Sequence, residues 1–276
     1  MTELNKDKKY IDIAKIISES NSRLLKQLPK FVITLVSKII RQDEMNRYLR
    51  KLSAYSEYGF LLEVIKEFNL KLEIEGKENL PENGKCFFVA NHPFGVIDGL
   101  VLTFCVCEKY GTLKAIANDG FMFIPQLRPF IAAVNVYGQS PKEYVKALEE
   151  TYNMDIPITH FPSGEVSRIY NWKVQDREWQ KSFITKAIPS QRDIVPIHIG
   201  GKNSILFYSI FSLRRLLGIK ANIELMLIPR EMFNKKNKTI KVKIGKPISY
   251  RQFDKSLAHR DWANVVRSKV YELGKN

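Results

Sequence analysis

The chain has 276 residues, with 44 Lys and Arg against 29 Asp and Glu, so it carries a formal charge of +15 and is long enough to bury a full core. That excess favours anionic partners (a nucleic acid, an anionic bilayer surface or an acidic carrier protein) and leaves the fold open. The charged start (Lys6, Asp7, Lys8, Lys9) lacks the apolar core of a signal peptide. The apolar run at residues 31–40 is interrupted by Thr34, Ser37 and Lys38 and falls short of the ~20 residues that cross a bilayer, so a soluble or peripheral protein is expected.

Residues 10–70 read mostly as helix. Ile13, Ile16, Ile17, Leu24, Leu25 and Leu28 form one amphipathic pattern up to Pro29, and Phe31, Val32, Leu35, Val36, Ile39 and Ile40 form the next. Leu61, Val64, Ile65 and Phe68 make an apolar stripe on a third. Interleaved basic residues such as Arg23, Lys30, Lys38, Arg41 and Arg47 fit either the solvated face of a helical cap or a membrane-surface platform.

From residue 71 onward short apolar runs alternate with helical segments. Strands are expected at 86–90, 113–117, 130–136, 156–161, 194–199, 223–228 and 240–244, with Leu72 and Ile74 alternating before them. Helices are expected after Ser140-Pro141, around Trp179, Phe183 and Ala187, and over 204–217 and 262–273. This order predicts a layered α/β/α domain at 71–276 with a mostly parallel sheet, behind a helical, membrane-proximal region at 1–70. Cys86, Cys105 and Cys107 lie in apolar segments and read as reduced, buried thiols of a cytoplasmic protein; no second ligand pair makes Cys105-x-Cys107 a metal site.

Two loops carry the chemistry. Asn91-His92-Pro93-Phe94-Gly95-Val96-Ile97-Asp98-Gly99 follows the 86–90 strand, and ligands of open α/β sheets bind at the carboxyl ends of strands. His92 suits general-base work, and Asp98 can accept a hydrogen bond from one ring nitrogen and leave the other free, so that the nucleophile would be a substrate hydroxyl or amine. The bland alternative is a capping histidine beside an N-cap aspartate. Phe161-Pro162-Ser163-Gly164-Glu165-Val166-Ser167-Arg168 ends the 156–161 strand in a tight turn, where backbone N–H groups and Arg168 can hold an anion and Glu165 can pin Arg168. The alternative there is a turn with a surface salt bridge. His160 and His198 read as structural. Lys202 either meets an anionic head group or lines the surface. Lys235, Lys236, Lys238, Lys241 and Lys243 form a basic patch that is either a solvated sheet edge or a dock for an acidic carrier or anionic lipid.

Together the loops resemble those of the glycerolipid (lysophosphatidic acid-type) acyltransferase superfamily, which carries Asn-His-x-x-x-x-Asp and Phe-Pro-Glu-Gly-Thr-Arg-Ser. Asn91, His92 and Asp98 match the first with one extra residue before the aspartate; Phe161, Pro162 and Gly164 match the second, with Ser163 in place of Glu and Glu165 after the Gly. These departures are similar to the hemolysin-like branch, as are Asp43-Glu44-Met45-Asn46, Gly201-Lys202-Asn203-Ser204 and Ile244-Gly245-Lys246-Pro247. The resemblance implies a glycerolipid acyltransferase fold and transfer of an acyl group from acyl carrier protein or coenzyme A to a lysolipid hydroxyl, a lysophospholipid or a monoacylated amino-acid lipid, with no bound cofactor. It implies His92 and Asp98 as catalytic residues, with Asn91, Ser163, Gly164, Glu165, Arg168 and Lys202 at the substrate. A setting on the cytoplasmic face of the inner membrane, without nucleic acid, goes with it. An N-acyltransferase is a close variant. A non-catalytic binder of anionic membrane or nucleic acid, and a lipid hydrolase, are the other classes; no nucleic-acid motif and no Gly-x-Ser-x-Gly elbow speaks for them.

Overall fold

A computed structural model describes residues 9–19, 26–134 and 142–275. Four helices come first: α1 (Ile13–Glu19), α2 (Lys30–Ile39), α3 (Gln42–Lys51) and α4 (Glu57–Glu67). Strand β1 (Lys71–Glu75) leads to β2 (Cys86–Ala90), α5 (Val96–Tyr110), β3 (Lys114–Asn118), two 3₁₀ turns and β4 (Ile131–Val134). Then come α6 (Lys142–Asn153), β5 (Ile158–His160), a hairpin of β6 (Arg168–Tyr170) and β7 (Lys173–Gln175), α7 (Ser182–Ser190) and β8 (Asp193–Ile199). The chain closes with α8 (Ile205–Leu216), α9 (Ile228–Phe233), β9 (Thr239–Ile244) and α10 (His259–Leu273).

The main sheet has the order β1-β9-β8-β2-β5-β3-β4, and all neighbours are parallel except β8 and β9. Period-two alternation sorts its side chains to two faces. Phe88 and Ala90 of β2 join Val195, Ile197 and Ile199 of β8 in one core under α4 and α5. Phe87 and Val89 point the other way, into a core with Phe183 of α7 and Val266 of α10. The expected α/β/α layering is therefore present. Burying a side chain such as Phe87 or Phe88 is worth about 1.5–3 kcal/mol, so the central strands anchor whatever stands at their ends. The helical region is not set apart from this core: Phe60, Leu61, Val64 and Phe68 of α4 and its C-terminus are buried in it.

Three expectations change. Residues 223–228 are not a strand but a 3₁₀ turn (Ile223–Leu227) running into α9, because Pro229 has no N–H for a sheet ladder and suits a helix's first turn instead. Strand β9 is not an edge, because β1 covers it, and Lys241 and Lys243 face Glu73 and Glu75 of β1 at 3.9 and 3.2 Å. The basic patch is thus partly an ion-pair ladder. The cap at Ser140-Pro141 lies outside the described residues. Among the described residues no helix is long and apolar enough to cross a membrane.

Candidate active site

Strands β2, β5 and β8 run in the same direction, so their carboxyl ends bring His92, Phe161 and Gly200 to one rim of the sheet. Asn91 extends the ladder beyond β2: its amide accepts from Ile199 N at 2.7 Å and donates to Ile199 O at 2.9 Å. The expected contact of Asn91 with substrate is corrected here, since the side chain is buried and spent on clamping β2 to β8.

His92 follows directly. Its Nδ1 lies 3.0 Å from Asp98 Oδ2. Asp98 is the third residue of α5 and is fully buried, and its carboxylate also accepts from the backbone N–H groups of Phe94 (2.8 Å), Gly95 (3.0 Å) and Gly99 (2.9 Å). A carboxylate held by three N–H donors can only accept, so His92 donates from Nδ1 and Nε2 is left as the base. Burial pulls the imidazole pKa down, but the charge and hydrogen bond of Asp98 outweigh it and hold the pKa above its ordinary value. Between His92 and Asp98, Gly95 has a φ of 106°, which is closed to other residues, and a Cβ added there would meet Ile228 at 2.9 Å. The Phe161 ring stacks on the imidazole, with centroids 4.1 Å apart and planes 19° apart.

The second loop is tied to the first. Ser167 N donates to His92 O at 2.7 Å. Asp176, which sequence reasoning missed, is buried beneath both loops: it accepts from Ser167 Oγ (2.5 Å), Trp179 Nε1 (2.9 Å) and His92 N (3.2 Å). Burial raises its pKa, against these hydrogen bonds. An acid next to Arg177 and Glu178 in the sequence carries no signal of this role; only the return of the β6–β7 hairpin, which ends at Gln175, brings it beneath Ser167 and His92.

The charged residues of the second loop turn inward, which corrects three expectations. Arg168 is 0% exposed. Its Nε donates to Glu224 at 2.8 Å, and its Nη1 to Glu165 at 2.7 Å and to Val166 O at 2.8 Å. Glu224 is shared with Arg214, at 2.7 Å from Nε, and Glu165 with Arg177. With Nε and Nη1 engaged, only Nη2 is left without a hydrogen-bond partner, and it is buried, so this enclosed guanidinium offers no bidentate grip on a head group. Ser163 is buried too, its hydroxyl donating to Glu165 O at 2.7 Å. Gly164 has a φ of 66°, closes the turn by donating to Phe161 O at 3.0 Å, and lines the cavity in front of His92. Lys202 is exposed and stands away from that cavity, its carbonyl accepting from Lys235 Nζ at 2.8 Å. Lys235 lies 4.6 Å from the centroid of the Phe94 ring, its pKa lowered by burial, and among the described residues no carboxylate is within ion-pair distance of it.

The cavity at His92 holds about 180 Å³ and is walled mainly by apolar side chains of α5, β3 and β4, with His160 among them. Burial lowers the pKa of His160 to about 4, so it stays neutral. Cys86 and Cys105 are free and buried, their thiols pushed up to about 12 by burial, so they are poor nucleophiles. Among the described residues no three His, Cys, Asp or Glu side chains converge as a metal site.

A base oriented by a buried carboxylate, at the mouth of an apolar cavity, can activate a substrate nucleophile beside a hydrocarbon chain. The family described as Acyltransferase matches residues 15–276, and the chain belongs to that acyltransferase family. It is 38% identical over 264 residues to the lyso-glycine lipid O-acyltransferase of Phocaeicola vulgatus, covering 95% of each chain. The protein of the same description from Bacteroides thetaiotaomicron is also 38% identical over 264 residues, covering 95% of this chain and 97% of its own. Among solved structures, the 1-acyl-sn-glycerophosphate (LPA) acyltransferase PlsC from Thermotoga maritima is similar at a TM-score of 0.46 and 17% identity, over 89% of this chain and 90% of that one.

Proposed function

We propose that this protein transfers a fatty acyl group from a thioester, on acyl carrier protein or coenzyme A, to the hydroxyl of a single-chain glycine lipid. The observation that carries the reading is the His92–Asp98 pair, with Nδ1 bound to a carboxylate that can only accept and Nε2 left to take a proton. His92 Nε2 removes the hydroxyl proton as the oxygen attacks the thioester carbonyl. The tetrahedral centre then collapses, the C–S bond breaks, and the imidazolium returns the proton to the departing sulfur. Products are an ester and a free thiol. Glycine has no hydroxyl, so the attacking oxygen belongs to the lipid chain of the acceptor, which suits a base set beside an apolar cavity. Lys235 takes over the role expected of Arg168 and Lys202, meeting the acceptor's carboxylate.

The two 38% relatives support the acceptor class, and no thioester donor is singled out. On α2, Phe31 and Leu35 are 72% and 54% exposed beside Lys30 and Lys38, a face fit to rest on an anionic leaflet, here assigned to the cytoplasmic side of the inner membrane. The test is purified protein with labelled acyl carrier protein or acyl-coenzyme A and an N-(hydroxyacyl)glycine. Ester formation that is lost in His92→Ala is expected. Amide product would make the enzyme an N-acyltransferase, free fatty acid alone a hydrolase, and vesicle binding without turnover a non-catalytic binder.

A further inference from the structure

Acyl transfer between two lipid-like substrates brings two hydrocarbon chains to one imidazole, and the His92 cavity is small for both. A second cavity of about 430 Å³ lies beside it, within the ~300–1,000 Å³ range of ligand sites. Its walls are almost wholly apolar, including Ile11, Met45, Leu52, Phe60 and Val64, none of which faces the His92 cavity. Val96, Leu100, Asn118, Phe121 and Leu127 line both, so the partition is a single layer of side chains that starts four residues after His92.

The roof of this second cavity is built rather than incidental. Asn46, buried in α3, accepts from the backbone N–H groups of Tyr10 (2.8 Å) and Ile11 (2.9 Å) and donates to Ile11 O at 2.7 Å. Gln42 accepts from Ile13 N at 2.8 Å. Two side chains of α3 thus staple the segment before α1 across the opening, while Met45 between them turns into the cavity. Asp43-Glu44-Met45-Asn46 lies far from His92 in the sequence, and this staple gives it a role. Glu44 fixes the same helix through Arg41 at 2.6 Å and Lys236 at 3.4 Å.

We propose that the cavity beneath α1 and α3 binds the acyl chain of the lysolipid acceptor, while the His92 cavity takes the chain of the donor thioester. The assignment rests on the two-substrate reading above. The helices that roof the larger cavity, α1 and α3, both pack against α2, whose Phe31 and Leu35 are exposed where a membrane lipid would enter. With the chain seated there, the acceptor hydroxyl reaches His92 across the shared partition.

The test fills one cavity at a time. Each methylene denied burial costs a factor of about four, so Met45→Trp is expected to lower the preference for N-(hydroxypalmitoyl)glycine over N-(hydroxyhexanoyl)glycine by about tenfold or more, keeping the wild-type order among donor thioesters. Ile16→Trp, at a rim position that is 38% exposed and so no threat to the core, should act in the same direction, and Asn46→Ala should raise the KM for the long acceptor by loosening the roof. Ala117→Phe, in the His92 cavity alone, should shift donor preference to shorter chains. The assignment is overturned if Met45→Trp and Ile16→Trp, shown folded by their melting curves, alter donor preference instead or alter neither. Saturable binding of cis-parinaric acid, weakened about tenfold by Met45→Trp, reads the cavity without turnover. Wild type that binds this probe but acylates no lysolipid would sink the reading of function and leave the chain-binding cavity standing; wild type that acylates but does not bind it would sink the cavity alone.

Discussion

The two loops of the site use charge in opposite ways. In the first, Asp98 is buried so that its hydrogen bond shapes an imidazole that still faces the cavity. In the second, Glu165 and Arg168 are spent on each other, on Arg177 and on Glu224, and the loop turns only the Phe161 ring and the backbone at Gly164 toward the cavity. Both loops look equally chemical as strings of residues. The difference shows that a charged motif at a strand end can be reactive in one case and a brace in the other, and that the presence of a buried partner decides between them. Breaking a buried ion pair from one side strands a charge, at a cost of about 3–5 kcal/mol, which is far above what a surface pair contributes.

The largest effect should come from the reactive loop. His92→Ala is expected to lower kcat/KM by about a thousandfold, with only a modest fall in melting temperature as buried Asp98 loses its imidazole partner but keeps its three backbone donors. The brace should respond the other way: Glu224→Ala leaves Arg168 and Arg214 facing each other and should cost about 3 kcal/mol or more of stability in urea titration. A folded Glu224→Ala enzyme of full stability whose acceptor KM alone rises would erase the contrast.

Asp98→Asn comes next, with kcat expected to fall about a hundredfold as the tautomer is lost. Its pH profile sharpens the comparison further. A base must be unprotonated, so kcat/KM climbs with pH through the His92 pKa, which Asp98 holds above the ordinary ~6.5. Removing that charge leaves burial opposed mainly by the weaker pull of Asp176, and the acid limb should move to lower pH. The same linkage means that the pair stabilises the fold fully below the free-histidine pKa, and that this contribution is lost as pH rises through the raised folded value. Asp176→Asn, which turns an acceptor of three hydrogen bonds into a partial donor beneath both loops, should cost about tenfold in kcat with little change in KM. Lys202→Ala, at an exposed position, should change kcat/KM less than about twofold, whereas Lys235→Met, which removes the ammonium held over the Phe94 ring two residues after His92, should raise the acceptor KM about tenfold.

Much of this was legible in the residues. The continuous apolar run at 86–90 and the nearly continuous one at 194–199 could be placed because strands buried on both faces leave little freedom, the alternating run at 240–244 because of its period of two, and His92 and Asp98 stood out because their spacing permits one hydrogen bond. Residues 223–228 misled because a short apolar run fits a strand or a helix equally well until packing chooses. Asp176, Glu224 and the Asn46 staple were illegible for a different reason: each has partners far along the chain, up to 84 positions away for Asp176, and no local pattern encodes such a partner.

By itself the sequence determined the layered α/β plan, the strand-end placement of both loops and the pairing of His92 with Asp98, because these follow from local periodicity and short spacings. Only the tertiary structure decided which charges react and which brace, where Asn91 and Arg168 spend their hydrogen bonds, and that two apolar cavities meet at one partition beside His92. Those outcomes depend on burial and on partners distant in the chain, and burial is a property of the packed molecule rather than of any residue in it.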